Sequence, residues 1–526
     1  MGRTWTEFSP DLTRNIDEKQ GNGGGPYTNE AVGAENYGTI SYLVESQHAA
    51  GVFYTGSDDG SVHITQDNGT SWQNITPKNL GETLVNAIEI SPHDPATVYI
   101  ATTKYKLGDY TPAIYKSDNY GKSWKNISTG IPYGAHTRVV REDQNTKGLL
   151  YAGTELGIYI SFNDGSSWEA FQRNLPVTPI TDLRVHNNDL VVATSGRSFW
   201  ILDNLELLSQ YKKSNSTLML YQPEDALYGS WSSPLNGTNE KFDGTQPFTG
   251  VNPANGVEIY YFLPSVAKDS EVTLTISDSN GKVIRTLSSE KDANYIAHNG
   301  GGAPPAPTLS NKKGLNRFVW NMGHNIVPSI PNVYIEAGFN GRRVVPGKYA
   351  LTLKSNDESV STFGNIINNP LIKVDANDLQ EFDIYMGEME ANVTEMHTMV
   401  NTLFTAQEQI VSLLQELKAD KKTTLVNQGE ALVVKMKAWD EHMVQRRSQA
   451  YDDVENFVNK FTAEYLFVMN QTNGSSPRVN QSNKNRKAEL DLIWSDLKTN
   501  GAQLISKELT AFNDALWSAG IGAIKI

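Results

Sequence analysis

Three carboxylates are placed to do chemistry: Asp58 in Ser57-Asp58-Asp59-Gly60, Asp109 in Gly108-Asp109-Tyr110, and Glu155 in Gly153-Thr154-Glu155. Each closes a run of strand-forming residues, where a side chain is free to leave a sheet and face a ligand. The same positions gather Glu35, Asp59, Tyr110, Arg138 and Arg197 as ligand-binding candidates, with Arg141 and Arg184 on neighbouring apolar runs. Two carboxylates across one channel would supply a general acid and a base or nucleophile for glycoside hydrolysis. The same set could instead hold a polar ligand, or fill the channel with ion pairs. Asp58-Asp59-Gly60 is also an ordinary turn signal, and adjacent like charges would raise one of the two pKa values.

Other chemistries are excluded or unsupported. The chain has no cysteine, which removes disulfides, thiolate nucleophiles and thiolate-bound metals. Its nine histidines show no ligand spacing, no nucleotide or phosphate motif is present, and no cofactor is expected. A net charge of −14 without a basic cluster argues against nucleic acid. No run of eighteen apolar residues occurs, so no membrane span is expected. The 526 residues exceed what one core holds and suit roughly three domains.

The elements that must position the candidates are marked by a repeat. Thr65-Gln66-Asp67-Asn68-Gly69-Thr70-Ser71-Trp72 returns as Ser117-Asp118-Asn119-Tyr120-Gly121-Lys122-Ser123-Trp124 and as Ser161-Phe162-Asn163-Asp164-Gly165-Ser166-Ser167-Trp168. A shortened copy, Gly2-Arg3-Thr4-Trp5, opens the chain. The pattern suits a hairpin whose Asp or Asn caps its own turn while Gly takes positive φ, with the Trp ring folded back over the turn. Intervals of 52 and 44 residues, each holding further strand-like runs, match four-stranded blades of a β-propeller. Full blades are expected over 39–75, 85–127 and 136–171, with a last set over 180–202 running into 205–210 as a leftover outer strand. Four blades are few for a closed ring, so the remaining blades are expected upstream or from a protein partner that completes the ring, with Met1 an artefact of a fragment or an internal start. The repeat turns lie on one face of the disc; the turns bearing Glu35, Asp58, Asp59, Asp109, Tyr110, Glu155 and Arg197 lie on the other, around the channel that Arg138, Arg141 and Arg184 line.

The repeat resembles the Asp-box, or BNR repeat, of sialidase-like and sortilin-like propellers. The order of motifs adds to this: Glu35-Asn36-Tyr37-Gly38-Thr39-Ile40, Arg138-Val139-Val140-Arg141-Glu142-Asp143, Tyr151-Ala152-Gly153-Thr154-Glu155, and Gly196-Arg197-Ser198-Phe199-Trp200-Ile201-Leu202-Asp203. Together they resemble the large secreted bacterial proteins called sortilin-like or "glycosyl hydrolase" Asp-box proteins, over essentially the whole chain. The family pattern has His where this chain has Ser195, so no acid–base role falls there. The resemblance implies an extracytoplasmic location and a glycan or peptide ligand at the propeller mouth. Glycoside hydrolysis is the alternative, carried only by analogy of fold.

Residues 211–253 read as a linker rich in Ser, Asn, Gly and Pro. Short strand patterns over 254–375, with the Asp278-Ser279-Asn280-Gly281 turn and the Pro346-Gly347-Lys348-Tyr349 run, resemble an Ig-like β-sandwich. Beyond 376 the period becomes helical. Leu379, Phe382, Met386, Met389, Val393, Met396, Val400 and Leu403 step by three and four, and Gln407, Ile410, Leu414 and Leu417 continue the register with one polar break, giving a rod of roughly 58 Å with Asp378 as N-cap. Further helices are expected over 425–445, 451–468 and 484–519, completing a helical bundle. Docking of that tail to a partner would make the chain an assembly subunit.

Overall fold

The computed structural model describes residues 4–19, 37–211, 217–236, 250–265, 271–293, 295 and 304–526. The chain divides into two compact units, Met1–Tyr211 and Lys212–Ile526. The fold is mainly β, with propeller blades, a β-sandwich and a helical region in that order.

In the first unit, β1 (Ile40–Glu45), β2 (Phe53–Ser57), β3 (Val62–Thr65) and β4 (Gln73–Asn74) form one antiparallel meander. The second blade is β5 (Leu84–Ile90), β6 (Val98–Lys104), β7 (Asp109–Ser117) and β8 (Lys125–Asn126). The third is β9 (Thr137–Glu142), β10 (Leu150–Thr154), β11 (Gly157–Ser161) and β12 (Glu169–Ala170). The fourth has three strands, β13 (Ile180–His186), β14 (Asp189–Thr194) and β15 (Phe199–Leu202). The expected outer strand after it is instead a short helix, α1 (Glu206–Gln210): Leu205 is buried in the blade core and the turn closes locally from Leu208 N and Ser209 N to the Leu205 carbonyl.

The repeated turns share one hydrogen-bond plan. Asn119 Oδ1 accepts from Ser123 N at 2.9 Å while Ser117 Oγ accepts from Gly121 N at 2.9 Å. Asn163 with Ser167 and Ser161 with Gly165 repeat both bonds, as do Asp67 with Ser71 and Thr65 with Gly69. The Trp does more than cover its own turn. Trp124 Nε1 donates to the Ile75 carbonyl and Trp168 Nε1 to the Ile127 carbonyl, both at 2.6 Å, so each Trp fastens its blade to the one before. Gly121 and Gly165 are needed twice over: both have φ near +80°, and a Cβ on either would stand within 2.5 Å of Ile75 or Ile127. In the first blade Phe8 takes the place of those isoleucines, three residues after Trp5 as Ile75 follows Trp72 and Ile127 follows Trp124. Trp72 Nε1 accordingly donates to the Phe8 carbonyl at 3.3 Å.

In the second unit, β16 (Met219–Leu220), β18 (Val257–Leu263) and β21 (Gly314–Trp320) form one sheet. The facing sheet holds β17 (Ala226–Tyr228), β23 (Glu358–Asn368), β22 (Gly347–Ser355), β19 (Val272–Ser277) and β20 (Val283–Ser288) in that order. Trp320, Tyr261, Leu274 and Leu351 are fully buried between them. The segment expected as a linker thus supplies β16 and β17, because Leu218, Ala226 and Tyr228 bury themselves in the core of the sandwich.

The helical region comprises α2 (Ala376–Ala419), α3 (Thr423–Met443), α4 (Asp453–Asn456), α5 (Phe461–Gly474), α6 (Gln481–Gln503) and α7 (Thr510–Ser518), the last two joined by a π-helical segment, Leu504–Leu509. The expected helix over 451–468 is broken, and α5 runs on to Gly474. Asp375, not Asp378, caps α2 by accepting from Asn377 N at 2.8 Å; Asp378 instead pairs with Arg478 at 2.8 Å. Val327, Ile330, Val333 and Phe339, from the long connection between β21 and β22, share the helical core with Met386, Met389 and Met396.

Candidate functional site

The inner strands of the first unit carry a device that positions the site. In each blade one residue of the inner strand is skipped in the pairing with the second strand: Ser41, Asn86, Arg138 and Thr181. Such bulges re-aim a side chain out of the sheet. In the first two blades the re-aimed group stitches to the next inner strand, Ser41 Oγ to the Val85 carbonyl at 2.7 Å and Asn86 Nδ2 to the Thr137 carbonyl at 3.1 Å. Arg138 departs from this pattern. Its Nε and Nη2 both donate to Glu155 Oε2, at 2.9 and 2.6 Å.

Around that pair the structure assembles a set of rings. Tyr105, from the 3-10 turn after β6, stacks on His136 at 5.5 Å between centroids and lies 5.9 Å from the Arg138 guanidinium. Tyr110 leans on His136 at 6.0 Å and meets Tyr133 edge-on at 6.2 Å. Gly134 N donates to the Tyr110 carbonyl at 3.1 Å, holding the Tyr133 loop beside β7. Tyr110 and Tyr133 are 43% and 69% exposed, so two aromatic faces meet solvent next to a partly buried ion pair. His136 is buried with Nε2 3.3 Å from Glu155 Oε2, and burial holds its pKa below the usual imidazole value, leaving a neutral ring.

The remaining candidates are placed as follows. Asp109 opens β7 beside Tyr110, and its carboxylate accepts from Thr111 N at 2.9 Å; hydrogen bonds from Thr111 lower its pKa. Asp58 accepts from Gly38 N and Thr39 N at 3.0 and 2.8 Å, and burial raises its pKa. Asp59 is fully buried, accepting from Arg14 N at 2.6 Å, Ser61 N at 3.3 Å and the Ser57 hydroxyl. Arg197 stands exposed on the β14–β15 turn, its carbonyl accepting from Trp200 Nε1 at 2.9 Å. Glu35 lies outside the described residues. The structure therefore brings together Tyr110, Arg138 and Glu155, with Asp109 adjoining, and adds Tyr105, Tyr133 and His136. Sequence offered no signal for those three beyond their type, since their convergence depends on two separate connections, β6–β7 for Tyr105 and β8–β9 for Tyr133 and His136.

A second cluster lies at the other end of the inner strands. Arg141, 2% exposed, donates to Tyr42 Oη at 3.2 Å, Asp182 Oδ1 at 2.8 Å and the Leu183 carbonyl at 2.8 Å, and its Nη1 lies 3.4 Å from Glu89 Oε2. One guanidinium thus ties its own blade to the other three. Glu89, with 18% of its side chain exposed, has its pKa pushed up to about 7 by burial, against the pull of Arg141. It lines a cavity of about 230 Å³ with Glu45, Glu142, Gln144, Arg141 and Arg184. Glu142 is buried, with Oε1 accepting from Gly148 N and Oε2 unpartnered. This cavity lies toward the repeat turns, away from the tyrosine cluster: Asn68 N, Tyr120 N and Asp164 N bind the loops that leave the inner strands at this end. Among the described residues no group of three or more His, Asp or Glu is placed to hold a metal, and no helix is long and apolar enough to cross a membrane.

No family model matches the chain. It is similar to a probable oligoxyloglucan-reducing end-specific xyloglucanase of Neosartorya fischeri, 24% identical over 281 residues, covering 47% of this chain and 33% of that protein. The oligoxyloglucan-reducing end-specific xyloglucanase of Emericella nidulans is 22% identical over 268 residues, covering 46% and 32%. The chain thus spans about a third of the length of these curated relatives. Among solved structures, the GH74 xyloglucanase from Xanthomonas campestris overlaps 61% of this chain and 55% of its own, with 13% identity and a TM-score of 0.27.

Proposed function

We propose that this is an extracytoplasmic, sortilin-like propeller protein whose first unit holds a glycan at the tyrosine cluster. The observation that carries the proposal is the exposed pair Tyr110 and Tyr133 beside the Arg138–Glu155 fork. The apolar faces of a pyranose pack on aromatic rings, while its hydroxyls need a few fixed donors and acceptors. Arg138 offers donors, Glu155 acceptors, and the bulge at Arg138 aims the fork out of the sheet. The likeness to xyloglucanases makes oligoxyloglucan the first ligand to try. Calorimetric titration of the full chain should give saturable binding, weakened at least tenfold by Tyr133→Ala and by Arg138→Met with the melting temperature kept. Equal affinity of both variants would remove the tyrosine cluster from the proposal.

A hydrolase is the second reading, and Glu89 favours it. A carboxyl with a pKa near 7 beside an arginine suits a general acid, and Glu142 and Glu45 line the same cavity. Release of reducing sugar from oligoxyloglucan, abolished by Glu89→Gln, would support turnover there; release unaffected by that change would exclude Glu89.

A further inference from the structure

Among the described residues, the second unit contains an arginine without a counter-ion. Arg342 and Arg343 are adjacent, yet they are treated oppositely. Arg342 pairs with Asp383 at 2.5 Å and with Glu390 at 3.4 Å. Arg343 has no carboxylate within ion-pair distance among the described residues. Its guanidinium carbon lies 4.8 Å from the centroid of the Tyr228 ring, and Nη2 lies 3.6 Å from Met322 Sδ. A ring face attracts the charge but provides no in-plane acceptor for a fork of N–H groups. The backbone is fixed, with Arg343 N donating to Asn473 Oδ1 at 3.1 Å and a bridge to Gly323.

The guanidinium borders a cavity of about 300 Å³ walled by Tyr228, Asn368, Asn369, Asn470, Asn473 and Ser476. Tyr228 is held in place by the parallel pairing of β17 with β23 and by its contact with the Ser476 hydroxyl. Part of the amide wall is engaged within the fold. Asn470 Nδ2 donates to the Gly338 and Leu466 carbonyls, and Asn369 Oδ1 accepts from Leu371 N. That leaves Asn470 Oδ1 as an acceptor, Asn369 Nδ2 as a donor, and the Asn368 amide free for both. A desolvated cation without a partner is unfavourable, so the site is poised for an anionic group. The planar fork of Arg suits a carboxylate, which it can hold through two parallel bonds. An anion without a hydroxyl, such as chloride or sulfate, would face amide oxygens with nothing to donate to them. Hydroxyl groups both donate and accept, as the wall requires, and the volume lies at the lower end for organic ligands.

We propose that this cavity binds an acidic sugar, a hexuronate whose carboxylate lies on Arg343 and whose hydroxyls meet Asn368, Asn369 and Asn470. The test is titration of the full chain with sodium glucuronate, glucose and sodium acetate in parallel. Glucuronate should saturate one site at least tenfold more tightly than either of the others. Arg343→Gln should weaken it at least tenfold, and Asn368→Asp, at an exposed strand end, should weaken it through charge repulsion without disturbing the fold. Tyr133→Ala should leave it unchanged, which separates this site from the tyrosine cluster. Equal binding of acetate would reduce the site to a bare carboxylate cradle, and equal binding of glucose would remove Arg343 as the reader. Either result, or no saturation by glucuronate, overturns the proposal. Should Arg343→Gln fail to fold by circular dichroism, unaltered binding in Asn368→Asp is the overturning result.

Discussion

Glu89 is the residue whose ionisation the fold alters most usefully. Its carboxyl titrates near pH 7 when folded and near 4.5 in an unfolded chain, because burial penalises the charged form more than Arg141 relieves it. A carboxyl with a raised folded pKa contributes its stability below the unfolded value and loses it as pH rises through the folded one. The first unit should therefore lose on the order of 2–3 kcal/mol from this group between about pH 4.5 and 7. The buried imidazole of His397, whose pKa is lowered to about 4, acts in the opposite direction within the second unit, so the comparison must be made by difference. Melting temperatures of wild type and Glu89→Gln, taken from pH 4.5 to 8, should diverge across that window, with the variant the flatter. Parallel profiles would show that Glu89 titrates normally. Nothing in Leu84–Ile90 singled this residue out, because a lone Glu in an apolar strand is as readily a solvated edge. Its environment is made by Arg141, 52 residues away, and by Asp182 beyond it.

At the scale of the element, the repeated turn was legible because its information is local. The Asp or Asn, the Gly with positive φ and the Trp all act within eight residues, so spacing alone identified the blades. What the Trp does across the blade junction was not legible, since its partner carbonyl lies 49 or 41 residues earlier. The bulge at Arg138 escaped for the same reason: it is visible only when β9 is paired with β10. The junction makes a discriminating prediction. Trp124→Phe keeps an aromatic ring, though a smaller one, and removes the donor to the Ile75 carbonyl, and an orphaned buried acceptor costs about 1–3 kcal/mol. Trp5 stands at the matching position but is 91% exposed, so Trp5→Phe should change stability by less than about 0.5 kcal/mol. Chemical denaturation of the two variants should separate them by that margin; equal effects would mean that the Trp nitrogen contributes nothing at the junction.

For the whole molecule, the two units have separate cores. Tyr99, Val140, Tyr151 and Leu183 belong to one, Trp320, Tyr261 and Leu274 to another. Scanning calorimetry should resolve two transitions. Arg141→Met leaves the largely buried Glu89 without its cation, whereas Asp182, 55% exposed, stays solvated; the cost therefore falls at the low end for a broken buried pair, about 3 kcal/mol, and should lower one transition alone. Trp320→Ala, by opening a cavity, should lower the other by a similar amount. A single transition that both variants shift would show that the units unfold together.

The open strand of the fourth blade gives the last expectation. Among the described residues β15 is an edge strand, and Phe199 and Ile201 are 75% and 60% exposed on the same face of it, with Leu43 56% exposed on β1. An unpaired edge with an apolar face is a template for association. The net charge of −14 opposes this, and that opposition weakens as salt shortens the reach of the repulsion. Sedimentation velocity should therefore show association that grows with protein concentration and with salt, and Phe199→Ser combined with Ile201→Thr should suppress it while leaving the melting temperature nearly unchanged. Charge repulsion alone would give the same salt trend in the double variant, so persistence of association there would place the contact elsewhere. A protein that stays monomeric at every salt concentration would show that twist and charge already protect this edge.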